Sequence, residues 1–508
     1  MLADWVYTFS RRLWRGLGLS LLAACAQVGQ PDPSNPSHVS LRTAHGPTRD
    51  TNEAGFYTAR AVSKYRVKDY VGSLDDTSYA IELSPHQPVA YMTRATVKLQ
   101  IGDYGGAITD ASESLRLNPD QTDTYVIRAV AKYNLMDYAG SVDDTTEAIR
   151  LSPTNVLAYA NRAGTRRKMG DARGALDDLS QMIALSPNNA WAYLLRGAVH
   201  VDVRAWAEAL HDYDQAIALQ STDAEAYTNR SNVKIQLGDI LGALHDADAA
   251  LACNPQHAEA YVNRGWGKLL QEDLHGAITD FSEALGYNPA LTVAYVLRAE
   301  AHIKTRHPQA ALDDLSRAIS LGDDNAKTYF ARGKTELSLG KVSEAVRDYS
   351  EAIRLAPRDP IVYANRGWAK FLLEDPEGAL EDLARAIELS PNYEYAYAAR
   401  GRVELTLHKY QAVLDDTTRA VSIAPRYAEP YLLRGLAKLE IGDLIGALTD
   451  TSLSITLDTT NAEAYLARGL VYLALNEPHN AKSDFSKAGE ISPRLLEEIR
   501  GKGSEKET

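Results

Sequence analysis

The chain has 508 residues, 45% of them hydrophobic, and a formal net charge of −13. That length suggests about three or four globular domains unless the chain repeats itself, because a repeat array grows without one central core. The acidic balance argues against sequence-independent nucleic-acid binding, which needs a basic face. Two cysteines, Cys25 and Cys253, exclude a disulfide framework and a cysteine-rich metal site.

In chain order, the first feature is a basic stretch, Arg11-Arg12-Leu13-Trp14-Arg15, followed by the apolar, small-residue-rich run Gly16 to Ala24. Asp4 opposes those three arginines, so residues 1–24 carry +2 and leave −15 for the remainder. A basic n-region followed by a short apolar h-region is the layout of an export signal. The run is too short to span a bilayer, which takes roughly 20 residues. It ends in Leu22-Ala23-Ala24-Cys25, which resembles the bacterial lipobox. That resemblance implies a signal peptide over residues 1–24, cut before Cys25, with Cys25 lipidated as the new N-terminus. Residues 26–53 are rich in proline and polar residues without helical period, so 25–53 is expected to be a flexible tether. The other reading of this end is a cytosolic protein with no lipid.

From Ala54 to Leu495 the sequence divides into thirteen units of 34 residues with no insertion or deletion. A polar tail, 496–508, follows. Each unit reads as helix, turn, helix. Gly102-Asp103, Gly170-Asp171, Gly238-Asp239 and Gly442-Asp443 stand mid-unit, where a left-handed residue ends the first helix. Pro308, Pro376 and Pro478 suit the first turn of the second helix, and prolines such as Pro85, Pro119 and Pro153 stop it. The eighth place is Gly, Ala or Ser throughout, while the twentieth and twenty-seventh are nearly always Ala. Small residues at those places let two antiparallel helices approach closely.

This pattern, with Tyr at the fourth place of every unit from Tyr57 to Tyr465, resembles the tetratricopeptide repeat. The resemblance implies an all-α fold, an α-solenoid wound as a right-handed superhelix of thirteen helix-turn-helix units. Every unit also has Arg at the seventh place, where that family usually has Leu, and Asp at the twenty-third. Both places lie at the same height on antiparallel helices, so an Arg–Asp ladder is expected, as in Arg94 with Asp110, Arg128 with Asp144 and Arg264 with Asp280. A basic row at the eleventh place, Lys64 and Lys98 among it, is expected to share the same aspartates. The ladder is structural if the arginines are engaged, and a grip for acidic ligands if they are free.

The resemblance also implies a concave channel lined by the second, fifth, sixth, ninth, twelfth and thirteenth places. Those places hold Trp191, Trp266, Phe330, Trp368, Phe371 and Tyr395, and the sixth-place asparagines Asn161, Asn229, Asn263 and Asn365. Aromatics there suit peptide anchoring, and asparagine can donate to and accept from a peptide backbone. Packing against the neighbouring first helix is the competing role for each Trp. The carboxylate clamp of co-chaperone arrays is incomplete: Asn232 and Asn263 fit part of it, but Thr228, Val293 and Leu297 stand where it needs Lys or Arg.

No phosphate loop, metalloprotease helix, nucleophile elbow or paired-cysteine zinc spacing appears in the sequence. His211-Asp212 and His245-Asp246 read as solvated surface, and Cys253 as an inert core thiol. Neither catalytic nor metal-binding residues are expected, nor any cofactor, nucleic-acid partner or small-molecule substrate. The expected function is a non-catalytic scaffold that binds proteins or peptides, lipid-anchored outside the cytoplasm in the cell envelope. The alternatives are a cytosolic adaptor and an accessory subunit of an enzyme complex.

Overall fold

The computed structural model describes residues 49–493. The candidate signal, Cys25, the tether up to residue 48 and the tail 496–508 lie outside the described residues. Among the described residues there are 26 helices, numbered here in chain order, and no strand. They alternate as first and second helices of antiparallel pairs, and within each of the two bodies described below each pair packs on the next. The fold is an all-α solenoid.

The pair α3 (Pro88–Gln100) and α4 (Tyr104–Leu117) shows how sequence sets the boundaries. Pro88 opens α3, where its missing N–H is no loss. Gly102 turns the chain at φ +83°. Asp103 then caps α4 by accepting from the Gly106 amide at 2.9 Å. The α4 helix stops at Leu117, and Pro119 prevents its continuation.

The turn residue is left-handed in every repeat, whatever its identity. Gly102, Gly170, Gly238, Gly340 and Gly442 have φ between +76° and +85°. Lys68, Met136, Arg204, Glu272, Arg306, Glu374, His408 and Asn476 occupy the same place at +57° to +64°. An L side chain in that conformation costs about 1–2 kcal/mol, so packing of the helix pairs dictates the turn.

Small residues make the pairing possible. A Cβ added to Gly197 would stand 2.6 Å from the Tyr213 ring, and one on Gly265 2.9 Å from Phe281. Such eighth-place glycines on first helices give way to a ring on the second helix. Buried alanines such as Ala107, Ala111 and Ala148 fill the remaining interface with Leu99, Val126 and Val130. Twelve of the unit starts read from the sequence, Pro88 to Ala462, are each the first residue of a helix, while α1 (Arg49–Arg66) begins upstream of Ala54. Cys253 departs from its expected core placement. It is exposed, because it ends its helix (Ile240–Cys253), at the rim where Leu185 and Leu219 are also exposed.

The chain divides after Tyr287 into two compact bodies, 49–287 and 288–493 within the described residues. In each body, most successive first helices touch one another as well as their own partners, and no two second helices come as close. First helices therefore line the crowded inner side of each body. No helix among the described residues is long and apolar enough to cross a membrane.

Candidate functional site

The frame that positions the inner side is an ionic ladder. In each repeat, from Arg60 with Asp76 to Arg468 with Asp484, the seventh-place arginine holds the twenty-third-place aspartate. Arg94 donates from Nε and Nη2 to Asp110 Oδ2 and Oδ1 at 2.8 and 2.7 Å. Arg128 and Arg264 do the same to Asp144 and Asp280. The third arginine nitrogen reaches back to the preceding repeat: Arg94 Nη1 to Ser78 Oγ at 3.3 Å, Arg230 Nη1 to Asp214 and Arg264 Nη1 to Asp248 at 2.7 and 2.8 Å. Each ladder guanidinium also lies over the ring of its own fourth-place tyrosine, at 5.7 Å for Arg94 and Tyr91. Where this third bond forms, as at Arg94, Arg230 and Arg264, the arginine ties its own two helices to the repeat before it.

The aspartates are buried and the arginines half-buried, with side-chain exposures of 4% and 21% for Asp110 and Arg94. Lys98 and Lys132 share Asp110 and Asp144 at 2.8 Å. Hydrogen bonds from Arg60 hold Asp76 below the ordinary carboxylate value, and those to Asp110 raise the Arg94 guanidinium. Asp212 and Asp246, expected at the surface beside His211 and His245, are buried members of this ladder. Only their histidine neighbours are exposed. The ladder arginines already have carboxylate partners, so the frame uses the charge that a ligand grip would need.

At the eleventh place the basic row is broken by His200, His302, Glu336, Glu404 and Tyr472. Glu336 faces Asp348 and Arg332, and Glu404 faces Asp416, Arg400 and Lys409. Burial, reinforced by the neighbouring aspartate, pushes both glutamates up to about 7. One oxygen of each, Oε2, has no hydrogen-bond partner.

The inner side is less uniform. Trp191, Phe330, Trp368, Phe371 and Tyr395 are half-buried, each packed on a core cluster with part of its ring reachable. Trp368 and Phe371 lie 5.4 Å apart, centre to centre, and Tyr395 lies 5.9 Å from Tyr393. Trp266 differs from the expectation of a channel anchor. It is 3% exposed and its indole Nε1 has no partner.

The asparagines also differ from a peptide ladder. Asn161 and Asn365 donate to Leu157 O and Ile361 O of their own helices, and Asn263 donates to Thr228 O of the preceding repeat, all at 2.8 Å. Each of these bonds commits one N–H of a sixth-place amide to nearby backbone and leaves its second N–H and Oδ1 outside that bond. Asn229 keeps a buried, unpartnered Nδ2.

Three groups on this side were not singled out from the sequence. Arg402 bridges Glu429 and Glu463, at 3.0 and 2.6 Å, across three successive repeats. Arg167 pairs with Asp202 in the next repeat. A cavity of about 110 Å³ opens among α1, α3 and α5 (Thr122–Asn134), bordered by Val62, Met92, Thr96, Asp123, Val126 and Ile127. The signal for Arg402 was present in the sequence as a ninth-place cation followed by second-place glutamates in the next two repeats.

Three stretches match family models: residues 127–264 match the ETO1 C-terminal domain, and 330–394 and 462–494 match tetratricopeptide repeats. No curated protein matches. Among solved structures, the Cut9–Hcn1 hetero-tetramer of the APC/C is 14% identical, covering 84% of this chain and 96% of that one, with a TM-score of 0.42. YrrB, described as a TPR protein with an unusual peptide-binding site, is 26% identical over 36% of this chain and 95% of its own, with a TM-score of 0.34. A tetratricopeptide repeat protein from Parabacteroides merdae is 16% identical over 49% and 98%, with a TM-score of 0.43. Residues 330–394 and 462–494 are thus similar to tetratricopeptide repeats, and the antiparallel helix pairing seen there recurs through both bodies.

Proposed function

We propose that the protein is a non-catalytic scaffold whose first-helix faces hold peptide segments of other proteins. One observation carries this reading. The Tyr, Arg and Asp of each repeat are consumed by the frame, while the inner faces vary from repeat to repeat and expose aromatic and apolar surface. A constant frame with a varied concave lining suits selective binding of extended segments. The part-exposed rings of Trp368, Phe371 and Tyr395 supply the anchors in the second body, with Arg402, Glu429 and Glu463 as the polar group nearby in sequence. Site-specific photo-crosslinking from inner and outer positions tests it: partners should be captured from the inner positions.

The N-terminal layout supports a lipid anchor at Cys25 with residues 26–48 as tether, the first helix having begun at Arg49, and on this reading the scaffold works at the cell envelope. Labelled palmitate should attach to the full chain and vanish in Cys25→Ala. A chain that takes no label belongs instead to the cytosolic reading.

A further inference from the structure

The cavity among α1, α3 and α5 has two properties that packing defects do not share. It opens on the inner side, and its walls are the second, fifth, sixth, ninth, twelfth and thirteenth places of three successive repeats, as with Val62, Met92 and Ile127. Its lining is chiefly apolar, yet Asp123 borders it as the only charged side chain there. The Asp123 carboxylate makes no hydrogen bond or ion pair among the described residues. Cations nearby in sequence are already committed, Lys98 to Asp110 and Lys132 to Asp144. Asp123 stands exposed at the mouth of the hollow, and the partial desolvation there raises its carboxyl above the ordinary value. An acidic residue in the first turn of α5 favours the helix dipole from any direction; that role does not call for placing it against an apolar cavity.

The size selects the occupant. An engineered apolar cavity of about 150 Å³ holds benzene, so about 110 Å³ suits a single aliphatic side chain and is too small for an indole. We propose that this cavity receives one leucine-sized side chain of a bound peptide whose adjacent residue is Lys or Arg, held by Asp123. This rests on the scaffold reading and gives the first body a defined ligand class: segments carrying an aliphatic residue beside a cation.

Methionine-methyl NMR on the full chain tests the proposal. The chain has five Met, and Met92 borders the cavity, so its methyl reports occupancy while Met136 and Met169, both exposed elsewhere, serve as controls. The probes are capped dipeptides, N-acetyl-Leu-Lys-amide, Leu-Glu-amide and Ala-Lys-amide, each titrated to about 10 mM, the range of weak single-residue anchoring. Leu-Lys should shift Met92 saturably, and Leu-Glu and Ala-Lys should bind about fivefold weaker or less. Asp123→Asn should reduce Leu-Lys to the level of Leu-Glu, and Thr96→Trp should fill the cavity and abolish the shift. A Met92 signal that ignores all three probes overturns the proposal. So does one that responds equally to Leu-Lys and Leu-Glu, or one that persists in Thr96→Trp. If Thr96→Trp disturbs folding, the other methyls move without ligand, and the Asp123→Asn comparison decides alone. Partner capture from the inner face with Met92 silent removes this pocket and leaves the scaffold reading standing.

Discussion

At the residue scale the ladder sets the energetics. Asp110 is buried between Arg94 and Lys98, so truncating the arginine leaves a carboxylate with half its compensation. Breaking a fully buried pair costs about 3–5 kcal/mol and an exposed pair about 0–1. Arg94 is partly exposed, so Arg94→Ala should cost about 1–3 kcal/mol, measured by urea unfolding. In the double-mutant cycle with Asp110→Ala, the paired loss should be smaller than the sum of the single losses. Additive losses would mean that the two side chains do not act together.

The exceptions to the ladder carry a pH signature. Glu336 and Glu404 titrate near 7 in the folded chain, against an ordinary value of about 4.3 when unfolded. The folded state therefore holds protons that the unfolded state has released. Their stabilisation is complete below the unfolded value and is lost as pH rises through about 7. His200 and His302 work the other way: burial pushes both down, so they lower stability as pH falls below the ordinary histidine value. The Glu336→Gln, Glu404→Gln double variant should lose less stability than wild type as pH rises from about 4.5 to about 7 in urea midpoints. Identical pH slopes for the two proteins would contradict this assignment.

At the scale of the element, the left-handed turn is the constraint. Met136 sits at φ +64° and is 76% exposed, so its side chain contributes strain and little packing. Met136→Gly should stabilise the array by about 1 kcal/mol, and Gly170→Ala, at φ +85°, should cost a similar amount. Thermal midpoints that move in the opposite directions would refute the turn argument.

The helices themselves were legible in the sequence because an unbroken 34-residue register makes every repeat a copy of every other. Glycine announced the turn at Gly102 and Gly170. At Lys68 or Met136 only the register did, since neither residue type favours that conformation. Trp266 and Trp368 show where legibility stopped. Both hold the ninth place, yet one is buried and the other half-exposed. The difference arises from side chains in neighbouring repeats, which a place-by-place pattern does not contain. The backbone bonds of the asparagines were hidden for a related reason. An amide that can reach Leu157 O or Thr228 O commits one of its N–H groups before any ligand arrives. The cavity beside Asp123 needs three helices at once and leaves no trace in any single repeat.

In the molecule as a whole a constant frame carries a variable lining, and the proposed binding belongs to the lining. Photo-crosslinking in the cells that make the protein tests that division most directly. A benzoylphenylalanine is placed at Thr96 or Asn232 on the inner side of the first body, and at Phe371 or Tyr395 in the second. Controls occupy Val71, Leu241 and Ile445 on the second helices, which are 72%, 74% and 68% exposed. Discrete partner proteins should be captured from the inner positions and none from the controls. Capture from Leu241 or Ile445 with silence at the inner positions would contradict that division.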